Sequence, residues 1–180
     1  MLTFAPHRKG RALIAPAGET TRPTSDRARQ ALFDVIMHAP WGGRALIEGA
    51  TVLDAFAGTG ALGIETLSRG AGFAHFIERD RGALAALRAN IAAAKLGTTR
   101  IWAADALAPP AGPPCGLVFL DPPYHQSLVA ACLPKLRAAG WIASGSIIVA
   151  ETSRGETAPT DHELLADRTH GAARITIWRE

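Results

Sequence analysis

Cysteine is scarce in this chain of 180 residues, and the two present, Cys115 and Cys132, stand alone. There is no CxxC pair and no Cys/His spacing of a zinc module. A disulfide scaffold and a structural zinc fold are therefore excluded, and two reduced, partly buried thiols in a cytoplasmic protein are expected. The six histidines, His7, His38, His75, His125, His162 and His170, show no ligand spacing, so no metal site is expected. Aromatic residues make up only 6% of the chain. No apolar run approaches the roughly 18 residues that a membrane helix needs, which excludes a helical span. The opening stretch MLTFAPHRKGR turns basic before the apolar region of a signal peptide could form. A monomer without membrane contact is the expectation.

An apolar fraction of 48% is enough for a sizeable core, and the length suits one domain with a short appendage. Charge separates the two. Residues 1–30 carry Arg8, Lys9, Arg11, Arg22, Arg27 and Arg29 against only Glu19 and Asp26, while the remainder is close to neutral. A basic arm on a neutral body points to a polyanionic partner, because clustered cations release counterions from phosphates. The stretch APAGETTRPTSD is rich in Pro, Gly and Thr and reads as the hinge. The division is an arm over 1–21, able to form a strand or hairpin, and a body over 22–180. Arg8, Lys9 and Arg11 of the arm, with Arg22 in the hinge and Arg27 beyond it, are the candidate nucleic-acid contacts.

The body begins with a helix capped by Thr24, Ser25 or Asp26, with Ala28, Leu32, Val35 and Ile36 on one face. From residue 51 short apolar runs alternate with helical patterns. TVLDAF, FAHFIE, TRIWAAD, GLVFLD and GSIIVAE read as strands. Helices read between them, one ended by Gly70, one by Gly97, and one bent or restarted at Pro134. This alternation predicts a parallel sheet with helices on both faces. HELLADRT and RITIWRE follow with only a turn between, so they predict a terminal antiparallel hairpin. The sum is about seven strands. Trp102, Trp141 and Trp178 fall in or beside strands and are expected to pack.

The first strand leads into LDAFAGTGALG, where Gly58, Gly60 and Gly63 form a GxGxxG. Gly58 permits a tight turn, Gly60 lets a ligand approach the backbone, and Gly63 allows close helix–strand packing. Glu78 ends the next strand, placed to accept from a ribose. This fingerprint also fits a nicotinamide dinucleotide. Asp54 tilts it the other way, because a carboxylate before the loop suits an ammonium and repels a pyrophosphate. Asp105 can accept from an adenine amino group or simply cap a helix. With the terminal antiparallel strand, these acids favour S-adenosylmethionine as cofactor.

The stretch LVFLDPPYHQ carries the second half of the chemistry. Its strand ends at the carboxyl edge, where open α/β sheets bind ligands. Proline has no N–H, so the loop offers acceptors only: the Asp121 carboxylate and a backbone carbonyl, taken as that of Pro122. Acceptors suit an amine with two protons to give, and Tyr124 offers a flat face for a planar base. Two hydrogen bonds to such an amine aim its lone pair at an electrophilic methyl group. His125 reads as an ordinary loop residue.

The stretches RPTSDRARQALFDVI, VLDAFAGTGALGIETLSRGA, FIERD and LVFLDPPY together resemble the RsmD family, bacterial 16S ribosomal RNA guanine-N2 methyltransferases. The resemblance runs from about residue 8 to the C-terminus. It implies a class I S-adenosylmethionine-dependent methyltransferase fold, Rossmann-like and α/β, with a seven-stranded mostly parallel sheet. It implies methylation of N2 of guanine 966 in 16S rRNA of the small ribosomal subunit. It implies cofactor contacts at Asp54, Phe56, Gly58, Gly60, Glu78 and Asp105, and a base site at Asp121, Pro122 and Tyr124. Arg22 and Thr24 would stand near the cofactor or the RNA mouth. The alternatives are a DNA adenine-N6 methyltransferase, which would need a target-recognition segment absent here, a nicotinamide enzyme, and a non-catalytic RNA-binding assembly factor.

Overall fold

Four residues, Leu117–Leu120, form the most buried strand of the molecule, and the sheet is arranged around them. The computed structural model describes residues 13–14, 26–96, 98–123, 127–156 and 162–180. In chain order the elements are α1 (Asp26–His38), α2 (Arg44–Ile47), β1 (Thr51–Asp54), α3 (Ala61–Ser68), β2 (Phe73–Glu78) and α4 (Arg81–Ala94). Then follow β3 (Thr98–Ala103), β4 (Leu117–Leu120), α5 (Leu128–Ala138), β5 (Ile147–Ser153), β6 (Glu163–His170) and β7 (Ala173–Arg179). The sheet order is β3-β2-β1-β4-β5-β7-β6. β1 to β5 run parallel, and β7 pairs antiparallel with both β5 and β6. This is the seven-stranded sheet and terminal hairpin that the sequence pattern predicts.

Each face of the sheet has its own apolar layer. Leu32, Phe33 and Ile36 of α1, Ile64 and Leu67 of α3 and Leu87 of α4 pack on one face against Val52, Phe76, Leu117 and Phe119. On the other, Val129, Cys132, Leu133 and Leu136 of α5 pack with Trp141 and Trp178 against Leu53, Val118 and Ile148. Alternate residues of β1 and β4 serve opposite layers, as the two-residue period of a strand requires. The helices change face between β1 and β4, and that crossing opens the crevice used by open α/β sheets.

Some local expectations change. α5 runs unbroken through Pro134, without a restart. Its buried face compensates for the one helical hydrogen bond that proline cannot donate. α4 ends on Lys95 in a left-handed conformation at φ 50°, two residues before Gly97, which lies outside the described residues. α2 is a single turn that the pattern does not reveal; it follows Gly43 at φ 65° and buries Ile47. The capping positions Thr24 and Ser25, the hinge, and residues 1–12 lie outside the described residues. Leu13 and Ile14, described apart from their neighbours in the chain, are held against α4 and the first layer. Leu13 packs on the first layer, and the Asn90 side chain accepts from the Ile14 amide at 2.7 Å and donates to its carbonyl at 3.1 Å.

Trp141 and Trp178 pack fully buried, and Trp102 stacks under the Arg100 guanidinium with 3.8 Å to the ring centroid. His75 belongs to the same layer. It accepts from the Trp102 indole at 3.2 Å, and burial followed by the charge of Arg100 holds its pKa below the ordinary value. Both cysteines are free and buried, and burial pushes each thiol up to about 12. At that value neither is a nucleophile near neutral pH.

Candidate active site

All five parallel strands lead to a carboxylate at the same edge of the sheet. In spatial order these are Asp105 just past β3, Glu78 on β2, Asp54 on β1, Asp121 just past β4, and Glu151 on β5. All five line a cavity of about 870 Å³, with Phe56, Gly58, Pro122, Pro123 and Leu128 among its other walls. β1 and β4 pair in register, with Asp54 beside Phe119, so Asp121 emerges two residues beyond the level of Asp54. The two motifs, far apart in sequence, thus open into one space.

Asp54 is 1% exposed and accepts from the Gly63 amide at 3.0 Å, at the start of α3. Burial raises its pKa to about 7, the Gly63 bond opposes this, and the nearby Glu78 charge adds to it. An acid in that position favours a cation beside it, because the cation restores what desolvation removes. Glu78 clamps the glycine loop. Its Oε2 accepts from the Gly58 amide at 2.8 Å, and its Oε1 accepts from the Arg79 and Asp80 amides, each at 2.7 Å. A carboxylate has about four acceptor positions, so one is left on Oε2 for a ligand hydroxyl. Asp105 lines the same cavity and caps a turn rather than a helix. Its Oδ1 caps the following turn at the Leu107 amide, 2.8 Å, and its Oδ2 accepts from Arg79 at 2.7 Å. The Leu107 bond, ahead of Arg79, holds its pKa below the ordinary range.

The three glycines divide the work differently from the expectation. Gly58, at φ 52°, has open space where a side chain would project, and it lines the cavity. Gly60, at φ 83°, is absent from the lining, and a Cβ there would collide with Leu87 of α4. Gly63 fits the packing role, since a Cβ would collide with the Phe76 ring.

The Asp-Pro-Pro turn leaves β4 with Asp121 half-buried, Pro122 buried and Pro123 exposed. Tyr124 and His125 lie outside the described residues, as do Arg8, Lys9, Arg11, Arg22 and Thr24. Arg27 falls in the first turn of α1, where the backbone alone is described. The cavity adds residues that the motifs did not single out. Arg29 of α1, 5% exposed, lines it, as do Arg79, Asp80 and Glu151. The signal for Glu151 was present, since GSIIVAE ends on an acid as the other strands do. In the sequence Arg29 counts only among the basic residues of the N-terminal stretch, with no place in the site.

The site fits S-adenosylmethionine on its own chemistry. Six carboxylates against two guanidiniums line the cavity, an excess that draws a cationic sulfonium and ammonium and repels a pyrophosphate. Among the described residues no cluster of His, Cys, Asp and Glu is arranged to hold a metal ion.

Comparison with known proteins agrees with that geometry. The family described as conserved hypothetical protein 95 matches residues 4–179. Ribosomal RNA small subunit methyltransferase D of Escherichia coli K12 is 37% identical over 95% of this chain and 85% of its own length. The protein of the same name from Haemophilus influenzae is 31% identical over 95% and 89%. The solved structure of yhhF from Escherichia coli superposes with a TM-score of 0.83 at 32% identity, covering 100% of this chain and 97% of that one. With its sheet, cavity and both motifs in place, the chain belongs to the RsmD family of S-adenosylmethionine-dependent ribosomal RNA methyltransferases.

Proposed function

We propose that this protein transfers a methyl group from S-adenosylmethionine to the exocyclic N2 of guanine 966 in 16S rRNA of the small ribosomal subunit, acting as a cytoplasmic monomer. One observation carries the reading: the in-register pairing of β1 with β4 opens the glycine loop and the Asp-Pro-Pro turn into a single cavity. The names of the Escherichia coli and Haemophilus influenzae relatives support ribosomal RNA of the small subunit as the acceptor.

Bound S-adenosylmethionine supplies an electrophilic methyl group on a sulfonium. The chain does the positioning. Asp54 faces the ammonium of the donor, Glu78 receives a ribose hydroxyl on its remaining acceptor position, and Asp105 accepts from the adenine amine. Phe56 and the backbone at Gly58 shape the slot, and Gly60 sets the loop by its close approach to Leu87. Across the β1–β4 junction, Asp121 and the Pro122 carbonyl accept the two protons of the guanine amine. Tyr124 offers the stacking face. Delocalisation into the ring makes that amine a poor nucleophile, and fixed hydrogen bonds return its lone pair to the line of attack. After transfer the nitrogen carries an extra proton, which leaves to Asp121 or to water. Arg8, Lys9, Arg11, Arg22 and Arg27 hold rRNA phosphates, and the target base is splayed out to reach the pocket.

The test is Asp121→Ala. Methyl transfer to small subunits should fall by at least about a hundred-fold, the range for a group that orients and deprotonates. Binding of S-adenosylhomocysteine, followed by calorimetry, should persist. Full transfer by the variant would remove Asp121 from the reaction.

A further inference from the structure

The donor half of the cavity accounts for Asp54, Glu78 and Asp105, and the acceptor half for Asp121. Glu151, two residues before the end of β5, is the carboxylate of the parallel strands that remains. It sits on β5, the strand paired with β4 on the side away from β1. The register sets Leu120 beside Ala150, so Asp121, just past β4, stands level with Glu151, which is still within β5, one strand apart. Neighbouring strands stand about 4.8 Å apart, which places the two carboxylates within the width of one purine base. Both line the cavity, with Pro122, Leu128 and the buried Arg29.

A pocket that only captures an amine would serve guanine, adenine or cytosine alike, since each carries one. The Asp-Pro-Pro turn therefore leaves the base undetermined. The atom next to the amine differs. In guanine, N1 beside the N2 amine carries a proton; in adenine, N1 beside the N6 amine is an acceptor, and so is N3 of cytosine. A carboxylate beside the amine site accepts from the first and repels the other two.

We propose that Glu151 is the specificity-determining residue that accepts the N1 proton of guanine while Asp121 and Pro122 hold the N2 amine. This rests on the proposed methyl transfer to guanine and names what selects that base. Rejection does much of the selecting. A base with an acceptor at that position sets a lone pair against a carboxylate in a partly dry cavity, and the loss of a paired donor costs more than a missing contact.

The test compares synthetic acceptor RNA carrying guanine or 2-aminopurine at the modified position. 2-Aminopurine keeps the amine at C2 but has a bare N1. The wild type should favour guanine by about 10- to 100-fold in kcat/KM, the worth of one hydrogen bond to a charged group. In Glu151→Gln, the guanine rate should fall by a similar factor and the preference should shrink toward unity. Affinity for S-adenosylhomocysteine should stay unchanged, which separates selection from a collapsed site. An unchanged preference in Glu151→Gln would overturn the inference. So would equal wild-type rates on the two RNAs, an arm that needs no variant to fold. A wild type that binds S-adenosylhomocysteine yet methylates no guanine would overturn the proposed function itself, a different result from methylation without selection.

Discussion

Asp54 is the residue where burial, charge and ligand chemistry meet. Its carboxyl is buried with one hydrogen bond, from Gly63, and its pKa is raised from 3.8 to about 7. The sign for stability follows from linkage. Between those values the unfolded chain has lost the proton and the folded chain keeps it, so the contribution of Asp54 to stability falls as pH rises from about 4 through 7. Ligand binding has the opposite slope, because only the ionised acid attracts an ammonium. In ligand-free protein, Asp54→Asn should gain melting temperature relative to the wild type as the buffer moves from pH 5 to pH 8. Over the same range the wild type should gain affinity for S-adenosylhomocysteine, and the variant should lose that gain. A pH-independent difference in melting temperature would show that the Asp54 pKa is not raised into that range in the free protein. At this scale the sequence was legible where an acid sits next to a motif, as at Asp54, Glu78 and Asp121. It was silent on Arg29, because no local pattern announces that a helix turns a guanidinium toward a cavity.

At the scale of elements, the glycine loop is a joint between two packing contacts and one open face. Gly63 lets α3 lie on the Phe76 ring of β2, while Gly58 opens to the cavity. The same substitution should therefore act in two ways. Gly63→Ala overpacks the α3–β2 contact and should cost about 1–3 kcal/mol in chemical denaturation. Gly58→Ala meets no atom of the described residues, so its stability loss should stay near the ~1 kcal/mol of a left-handed backbone, while the methyl group should weaken cofactor affinity. Equal stability losses for the two would contradict this division. GxGxxG alone cannot assign these roles, since they depend on where Phe76 and Leu87 arrive from distant elements. The α5 helix gives the same lesson. Pro134 reads locally as a break, and only the buried Val129, Cys132, Leu133 and Leu136 explain why the helix continues.

At the scale of the whole molecule, alternation of apolar runs was enough to predict five parallel strands and a hairpin, because each element announces its own period. It could not place β4 beside β1, and that neighbour relation is what makes one site from two motifs. Nor could it show that Asn90 joins Ile14 to the glycine loop, donating to the Thr59 carbonyl at 3.0 Å as well as to Ile14. Through that side chain the region proposed to hold RNA and the loop proposed to hold the cofactor share a support. The chain's sole tyrosine, Tyr124, stands directly after the Asp-Pro-Pro turn, where the proposed mechanism puts the stacking face.

The most direct measurement gives the protein labelled S-adenosylmethionine together with small ribosomal subunits, free 16S rRNA and DNA in parallel, and then maps the labelled nucleotide. The account predicts label in ribosomal RNA alone, on N2 of guanine 966. Label in DNA alone, or on the amine of an adenine or cytosine, would contradict it.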